Sequence, residues 1–171
     1  MCRFDLRQSF SLDGAERFRA QAPDGTGPAG QGAQVNVLVV EDDPNLRALW
    51  GAVIEGAGHR ALLVEDEPTA RETLMSEPFD LVLLDLFLGQ RDGVSVASFA
   101  TYLNPACKVV VITGTSLYAQ GELFAMAPSI WAVMRKPVDI EDIAALCAHV
   151  AGEGTLPPPG ALSSSGAEFR S

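Results

Sequence analysis

The sequence lacks the long apolar segment that a membrane-spanning helix requires. No apolar run approaches ~20 residues, and the first 34 residues contain no apolar stretch typical of a signal peptide. The three cysteines, Cys2, Cys107 and Cys147, are widely spaced and form no Cys-x-x-Cys pair or Cys/His cluster. This spacing indicates neither a zinc site nor a disulfide framework, so we expect a reduced, cytoplasmic protein.

Basic residues are also scarce. The chain has 12 Lys and Arg against 22 Asp and Glu, a formal net charge of −10. Sequence-independent binding of nucleic acid requires many cations to neutralise phosphates, and docking on an anionic membrane has the same requirement. We therefore expect neither nucleic acid nor a membrane among the partners.

The two ends of the sequence lack core-forming residues. Residues 1–34 are polar and rich in Gly and Pro, and residues 152–171 contain Pro157-Pro158-Pro159-Gly160 and Ser163-Ser164-Ser165. Such composition cannot cover a hydrophobic core, so both ends are predicted to be flexible. The 171 residues, of which 47% are hydrophobic, are then predicted to form one folded domain over residues 35–151.

Strand-like and helix-like segments alternate through this domain. Short runs rich in Val, Leu and Ile predict buried strands of a parallel sheet, at Val37 to Val40, Ala61 to Val64, Leu81 to Leu84, Val109 to Ile112, and Ile130 to Met134. Segments with helical spacing or capping signals separate and follow them, at Pro44 to Glu55, Pro68 to Ser76, Val94 to Tyr102, Leu117 to Met126, and Ile140 to Val150. This alternation predicts a doubly wound α/β fold with helices on both faces of a five-stranded parallel sheet.

Chemically active side chains follow four of the predicted strands. Glu41 and Asp42 follow the first strand, Asp85 the third, Thr113 the fourth, and Lys136 the fifth. The carboxyl ends of parallel strands form the ligand-binding edge of such sheets, so these groups are expected to meet. Two carboxylates ~4 Å apart repel by about 4 kcal/mol at an effective dielectric near 20. A divalent cation offsets that repulsion, and an oxygen-only donor set suits Mg²⁺.

This arrangement predicts phosphoryl transfer to a carboxylate. Asp85 can attack phosphorus and form an acyl phosphate. Mg²⁺, Lys136 and the Thr113 hydroxyl can neutralise and position the phosphoryl oxygens. A single acid after a strand more often caps the next helix, and Asp43 before Pro44 is expected to do so. The joint pattern, rather than any one residue, favours the functional interpretation.

At these residues the sequence resembles the CheY-like receiver domain of bacterial two-component response regulators. The resemblance rests on five short motifs in order, Val37-Leu38-Val39-Val40-Glu41-Asp42-Asp43-Pro44, Asp80-Leu81-Val82-Leu83-Leu84-Asp85-Leu86, Asp92-Gly93, Val111-Ile112-Thr113-Gly114, and Arg135-Lys136-Pro137. It implies the strand order 2-1-3-4-5 and Asp85 as the phosphorylated residue.

The resemblance also implies roles for the neighbouring residues. Asp42 would bind Mg²⁺ directly, Glu41 would do so through water, and the backbone carbonyl of Phe87 would complete the protein ligands with Asp85. Lys136 would hold the phosphoryl group, with a cis peptide bond before Pro137. Thr113 would move toward the phosphate and carry the switch.

The implied partners are those of a signalling module. The phosphoryl donor would be a sensor histidine kinase or a histidine phosphotransfer protein, docking near the helix that starts at Pro44. The output would be an unknown protein target, or a homodimer, bound at a surface spanning about Ser116 to Val150. No enzyme activity is expected beyond Mg²⁺-dependent self-phosphorylation and self-dephosphorylation at Asp85.

The sequence departs from the family pattern at three positions. Gly89 stands where the family usually has proline, which is expected to loosen the loop after Asp85. Val133 stands where an aromatic switch residue is usual, and Trp131, on the same strand face by alternation, is a candidate substitute. Phe87 is large and apolar, and we hypothesise that it shields the acyl phosphate from water.

Two other interpretations remain open at this point. A phosphorelay intermediate, or a detached receiver of a hybrid kinase, would use the same Asp85. A flavodoxin-like protein or a phosphatase could share the sheet. However, Glu41-Asp42-Asp43 would repel a flavin phosphate, and an aspartate-nucleophile phosphatase would require a second aspartate where Phe87 stands.

Overall fold

The computed structural model describes residues 33–89, 91–114, 123–124, 127–152 and 168–169. Its strands are β1 (Asn36–Val40), β2 (Arg60–Val64), β3 (Leu81–Asp85), β4 (Phe87–Leu88), β5 (Arg91–Asp92), β6 (Lys108–Thr113), β7 (Ala132–Arg135) and β8 (Glu168–Phe169). Its helices are α1 (Pro44–Gly56), α2 (Glu67–Ser76), α3 (Val94–Leu103) and α4 (Ile140–Val150). None of the helices in the described residues has the length and hydrophobicity of a membrane-spanning segment.

The main sheet has the order β2-β1-β3-β6-β7-β8. The first five of these strands pair in parallel, and they correspond in chain order to the predicted arrangement 2-1-3-4-5. The predicted α/β fold class is therefore confirmed. The sheet also has a sixth strand, β8, which pairs antiparallel with β7 and which the sequence analysis did not predict. A separate two-stranded ribbon, β4 and β5, follows β3.

The predicted helix over Leu117 to Met126 lies almost wholly outside the described residues. Only Leu123 and Phe124 of that segment are described, and both are helical. The predicted flexible ends, residues 1–34 and 152–171, lie outside the described residues apart from 33–34, Gly152 and β8.

The hydrophobic core has two halves, one on each face of the sheet. Strand residues alternate between the faces, so Leu38 and Val40 pack with α2 and α3, while Val37 and Val39 pack with α1 and α4. Because both faces are covered, β1 and β3 are buried along almost their whole length. This explains why their sequences read as unbroken apolar runs.

Asp43 and Pro44 determine where α1 begins, beside the predicted site. Asp43 is the N-cap, and its carboxylate accepts hydrogen bonds from the backbone N–H groups of Asn45 at 2.8 Å and Leu46 at 3.1 Å. Pro44 occupies the first helical position, where its missing N–H is not needed. These hydrogen bonds lower the pKa of the Asp43 carboxyl. The cap therefore fixes the direction of the chain immediately after Glu41 and Asp42.

The expectation that Trp131 shares a face with Val133 was wrong. Val133 packs in the core half beside α2 and α3, whereas Trp131 packs against the other half. Trp131 precedes the first residue of β7, so strand alternation does not fix its side chain. Its ring stacks on His149 of α4 at a centroid distance of 5.6 Å. His149 is accordingly half-buried.

Candidate functional site

Three carboxylates meet at the carboxyl edge of the sheet. Glu41, Asp42 and Asp85 each offer an oxygen, and these oxygens lie within 4.8 Å of one another. The parallel pairing of β1 with β3 places the ends of the two strands side by side, which brings the acids together. Glu41 is 1% exposed and Asp85 is 6% exposed, while Asp42 is exposed. Two carboxylates of the cluster are therefore buried, and the third, that of Asp42, is open to solvent.

Lys136 supplies the compensating charge. Its Nζ lies 2.7 Å from Asp85 Oδ2 and 2.9 Å from Glu41 Oε2. The residue follows β7 directly, and its backbone N–H donates to the Thr113 carbonyl at 2.8 Å. The peptide bond from Lys136 to Pro137 is cis. The ammonium also lies 5.5 Å from the centre of the Trp50 ring, within the range of a cation–π contact.

The titration of these groups reflects their burial. The pKa of Glu41 is raised from 4.5 to about 7, chiefly by burial and also by the neighbouring charge of Asp85, although Lys136 and the Asp43 N–H oppose the rise. Burial lowers the pKa of Lys136, but its hydrogen bonds to Asp85 and Glu41 outweigh that effect and raise it overall. One ammonium thus incompletely neutralises the acids, which is the condition under which a cation binds.

Thr113 lies at the end of the next strand. β6 pairs with β3 so that Ile112 is beside Asp85, and Thr113 is the following residue. The Thr113 side chain is buried, at 3% exposed. Gly114 follows it, and a Cβ built there would meet nothing closer than the Lys136 side chain at 3.9 Å. The strand end that bears the hydroxyl therefore lies beside the strand ends that carry Asp85 and Lys136.

The loop after Asp85 is tied back to the acidic cluster. The Phe87 N–H donates to Asp85 Oδ1 at 3.1 Å, and the Gly89 N–H donates to Asp42 Oδ2 at 3.1 Å. Gly89 has a φ of 63°, a conformation that proline cannot adopt. The glycine that departs from the family pattern is thus used both for its N–H and for its backbone shape. Phe87 is 38% exposed, and the role predicted for its carbonyl stays a prediction.

The sequence analysis assigned no role to two residues at the site. The Arg47 guanidinium donates to the backbone carbonyls of Glu41 at 2.6 Å and Asp42 at 3.2 Å, holding the strand end against α1. A Cβ built at Gly93 would lie 2.6 Å from the backbone oxygen of Asp85. Arg47 was recognisable only as a basic residue near the start of a helix, and Gly93 only through its place in a motif.

Comparison with known proteins identifies the family. Residues 37–148 match the family described as the response regulator receiver domain. The chain belongs to this receiver domain family. The curated "Response regulator receiver protein CpdR" of Brucella abortus (strain 2308) is 32% identical over 107 residues, which are 63% of this chain and 88% of CpdR.

Longer relatives carry a receiver as one part. The "Transcriptional regulatory protein ZraR" of Escherichia coli (strain K12) is 28% identical over 111 residues, 65% of this chain but only 25% of ZraR. The chain therefore spans about a quarter of that relative's length.

Solved structures show the same fold. One is a response regulator protein from Burkholderia pseudomallei with a phosphorylated aspartic acid, a calcium ion and citrate (TM-score 0.60, 24% identity, 70% of each chain covered). Another is the receiver domain of the sensor histidine kinase PA1611 from Pseudomonas aeruginosa PAO1, with a magnesium ion coordinated in its active-site cleft. It has a TM-score of 0.61 and 22% identity, and the match covers 70% of this chain and 99% of that one.

The buried acid Glu41 allows the electrostatics of this receiver site to be tested. The pKa of Glu41 is about 7 in the folded protein against 4.5 for the free side chain. Between these values the folded state binds more protons than the unfolded state, so the contribution of Glu41 to stability falls as pH rises. In metal-free protein above pH 7, Glu41→Gln is therefore expected to raise the unfolding free energy by about 1 kcal/mol or more.

Urea unfolding in EDTA measures this effect as a function of pH. The advantage of Glu41→Gln should shrink as pH falls from about 7 and vanish below 4.5, because the Glu41 carboxyl is then protonated in the folded state and, below 4.5, in the unfolded state as well. Glu65→Gln is the control, because Glu65 is 69% exposed and pairs only loosely with Arg47 at 3.6 Å. A control shift equal to that of Glu41→Gln would contradict the burial argument.

Proposed function

We propose that Asp85 accepts a phosphoryl group from a phosphohistidine on a sensor histidine kinase or a histidine phosphotransfer protein. The observation that supports this most directly is the Lys136 ammonium 2.7 Å from Asp85 Oδ2, inside a cluster of three carboxylates. The Asp85 carboxylate oxygen would attack phosphorus as the P–N bond to imidazole breaks. The electron pair would leave with the imidazole nitrogen.

The cluster of three carboxylates suits Mg²⁺. Its donors are hard oxygens within 4.8 Å of one another, and the open side at Asp42 leaves room for water ligands. Glu41, Asp42, Asp85 and the Phe87 carbonyl would hold the ion. When bound, it would supply charge neutralisation for the phosphoryl oxygens.

Lys136 and Thr113 would bind phosphoryl oxygens directly. Lys136 would bind a phosphoryl oxygen as a point charge, having been positioned by Asp85 and Glu41 beforehand. Thr113 would donate its hydroxyl to another oxygen from the neighbouring strand. In the free state the Phe87 N–H orients Asp85 Oδ1, so Oδ2 faces the ammonium.

Phosphorylation at this position would act as a switch. The phosphoryl group would draw Thr113 and Lys136, which bond to each other through the backbone, toward one new ligand. A covalent ligand changes a two-state equilibrium only by binding one state better than the other. The partner surface formed by β7 and α4 is attached directly to these residues, so its affinity for a protein target would change.

The test is incubation of the wild-type chain with acetyl phosphate, with and without Mg²⁺, read by intact mass. A mass gain of one phosphoryl group is expected with Mg²⁺, and none after EDTA treatment, because the carboxylates then repel the incoming anion. Hydroxylamine should release the label, as it does from an acyl phosphate. Absence of any label at saturating Mg²⁺ would contradict the proposal.

Stand-alone switching and phosphorelay differ only in where the phosphoryl group goes next. Both use the same acceptor, so the protein's own geometry favours neither. Adding purified histidine phosphotransfer proteins to labelled protein and following the label distinguishes them. Transfer from Asp85 to a histidine would identify a relay, and retention with changed target binding would identify a switch.

A further inference from the structure

β7 is the last of the parallel strands, and its outer edge is covered by a piece of the same chain. β8 (Glu168–Phe169) hydrogen-bonds to it, antiparallel, with Ala132 opposite Phe169 and Val133 opposite Glu168. An open strand edge presents unpaired backbone groups that other chains can join. The pairing therefore covers a surface that would otherwise accept a strand.

The direction of the backbone groups shows which amide is covered. The Trp131 N–H donates to the Val109 carbonyl on β6 at 2.8 Å. Because successive residues of a strand point their N–H groups to opposite edges, the N–H of Ala132 points away from β6. Phe169 lies on that side, directly opposite Ala132. The Ala132 amide thus reports whether the outer edge is occupied.

β8 is short, and a long stretch of sequence separates it from Gly152. Among the described residues, two pairs join β8 to β7. Residues 153–167, which link Gly152 to β8, contain three consecutive prolines and three consecutive serines. A short ladder of few hydrogen bonds belongs to the least stable part of a structure and opens locally. Tethering in the same chain still favours it over a weak competitor from outside.

The covered edge adjoins the candidate site. Arg135, the last residue of β7, precedes Lys136, and β7 also pairs with β6 up to Thr113. A strand added at this edge would thus extend the sheet next to the residues that hold Asp85. A partner strand bound here would lie next to the candidate site. The occupancy of the edge does not itself depend on phosphoryl transfer.

We propose that the outer edge of β7 is a peptide-binding surface for an extended, antiparallel strand, and that Glu168–Phe169 occupies it as an internal competitor. Recognition runs through the outward-facing backbone groups of Ala132, so the partner is an extended peptide segment rather than a helix or a small molecule. Such a partner binds only when the internal segment leaves.

Phe169→Pro in the full chain tests whether β8 covers the outer edge of β7. Proline has no N–H and cannot continue the ladder, so the pair with Ala132 is lost. Hydrogen exchange at the Ala132 amide should then become at least about tenfold faster than in wild type. Ser164→Pro is the matched control, since it places the same substitution in the connection and should leave Ala132 exchange unchanged. Equal exchange at Ala132 in wild type and Phe169→Pro would overturn the proposal.

A synthetic peptide of residues 161–171, labelled with a fluorophore, tests the competition. Fluorescence anisotropy should show it binding Phe169→Pro at least about tenfold more tightly than wild type or Ser164→Pro. The same peptide carrying Phe169→Pro should not bind. Equal binding to all three chains would overturn the proposal, as would dimerisation of Phe169→Pro without peptide binding, which would assign the edge to a second copy. Acetyl phosphate labelling should be equal in all three chains, so this test and the phosphorylation test can fail separately.

Discussion

Replacing Asp85 with asparagine is expected to abolish incorporation of phosphate from acetyl phosphate. The amide removes the nucleophilic oxygen but keeps the side-chain shape, so the loss should exceed about a thousandfold in labelling rate. Intact mass after incubation with acetyl phosphate and Mg²⁺ measures it. The variant should remain folded, because asparagine has the shape of the buried Asp85 side chain and the Lys136 ammonium keeps its bond to Glu41.

Asp80→Asn is the matched control for this experiment. Asp80 immediately precedes β3, the strand that Asp85 ends, and its carboxylate accepts a hydrogen bond from the Asn36 N–H at 2.8 Å, far from the site. It should label like wild type. Labelling of Asp85→Asn at the wild-type rate would show that another residue is the acceptor, and the assignment of the whole site would fail with it.

Gly93→Ala is expected to destabilise the protein by about 2–3 kcal/mol. The backbone conformation is not the cause, because Gly93 has φ −68° and ψ −11°, which alanine adopts freely. The cause is contact, since a Cβ would lie 2.6 Å from the Asp85 carbonyl oxygen and 3.2 Å from the Leu84 side chain. A backbone atom of a central strand cannot move aside as a side chain could.

Chemical denaturation of Gly93→Ala and Gly56→Ala measures this effect. Gly56 is also a helix-end glycine, but a Cβ there meets nothing within 4 Å. Gly56→Ala should therefore leave stability unchanged or raise it by up to about 1 kcal/mol. Since Gly93 touches the backbone of Asp85, Gly93→Ala should also slow labelling by acetyl phosphate. Equal stability of the two variants would show that the strand relaxes around the added methyl group.

The sheet was predictable because its strands carry their own signal. β1 and β3 are buried on both faces, so only apolar residues are tolerated there and the runs stand out in the sequence. The meeting of Glu41, Asp85 and Lys136 followed from parallel pairing alone, because such pairing aligns strand ends. The clustering could thus be inferred before any coordinates, although its distances could not.

The contacts that sequence reasoning missed are those made through backbone atoms. Arg47 reaches two carbonyls, Gly89 donates its N–H to Asp42, and Gly93 lies against the Asp85 carbonyl. Side-chain type carries little information about such contacts. β8 was missed for a similar reason, since two residues in a polar stretch give no periodicity to read.

The error over Trp131 has a different origin. Alternation predicts a side-chain face only within a strand, and β7 begins one residue later than Trp131. The ring instead stacks on His149 and lies 5.6 Å from Lys108 Nζ. The strand itself was predicted, but its first residue was placed too early, and that misplacement caused the error.

The position of Trp50 gives this receiver domain an internal optical probe. Its indole is 3% exposed and lies 5.5 Å from the ammonium that bridges two acids. Any event that displaces that positive charge alters the electric field across the ring, and indole emission responds to such fields. With Trp131 replaced by phenylalanine, the remaining fluorescence would follow the cation's movements directly, without an attached dye.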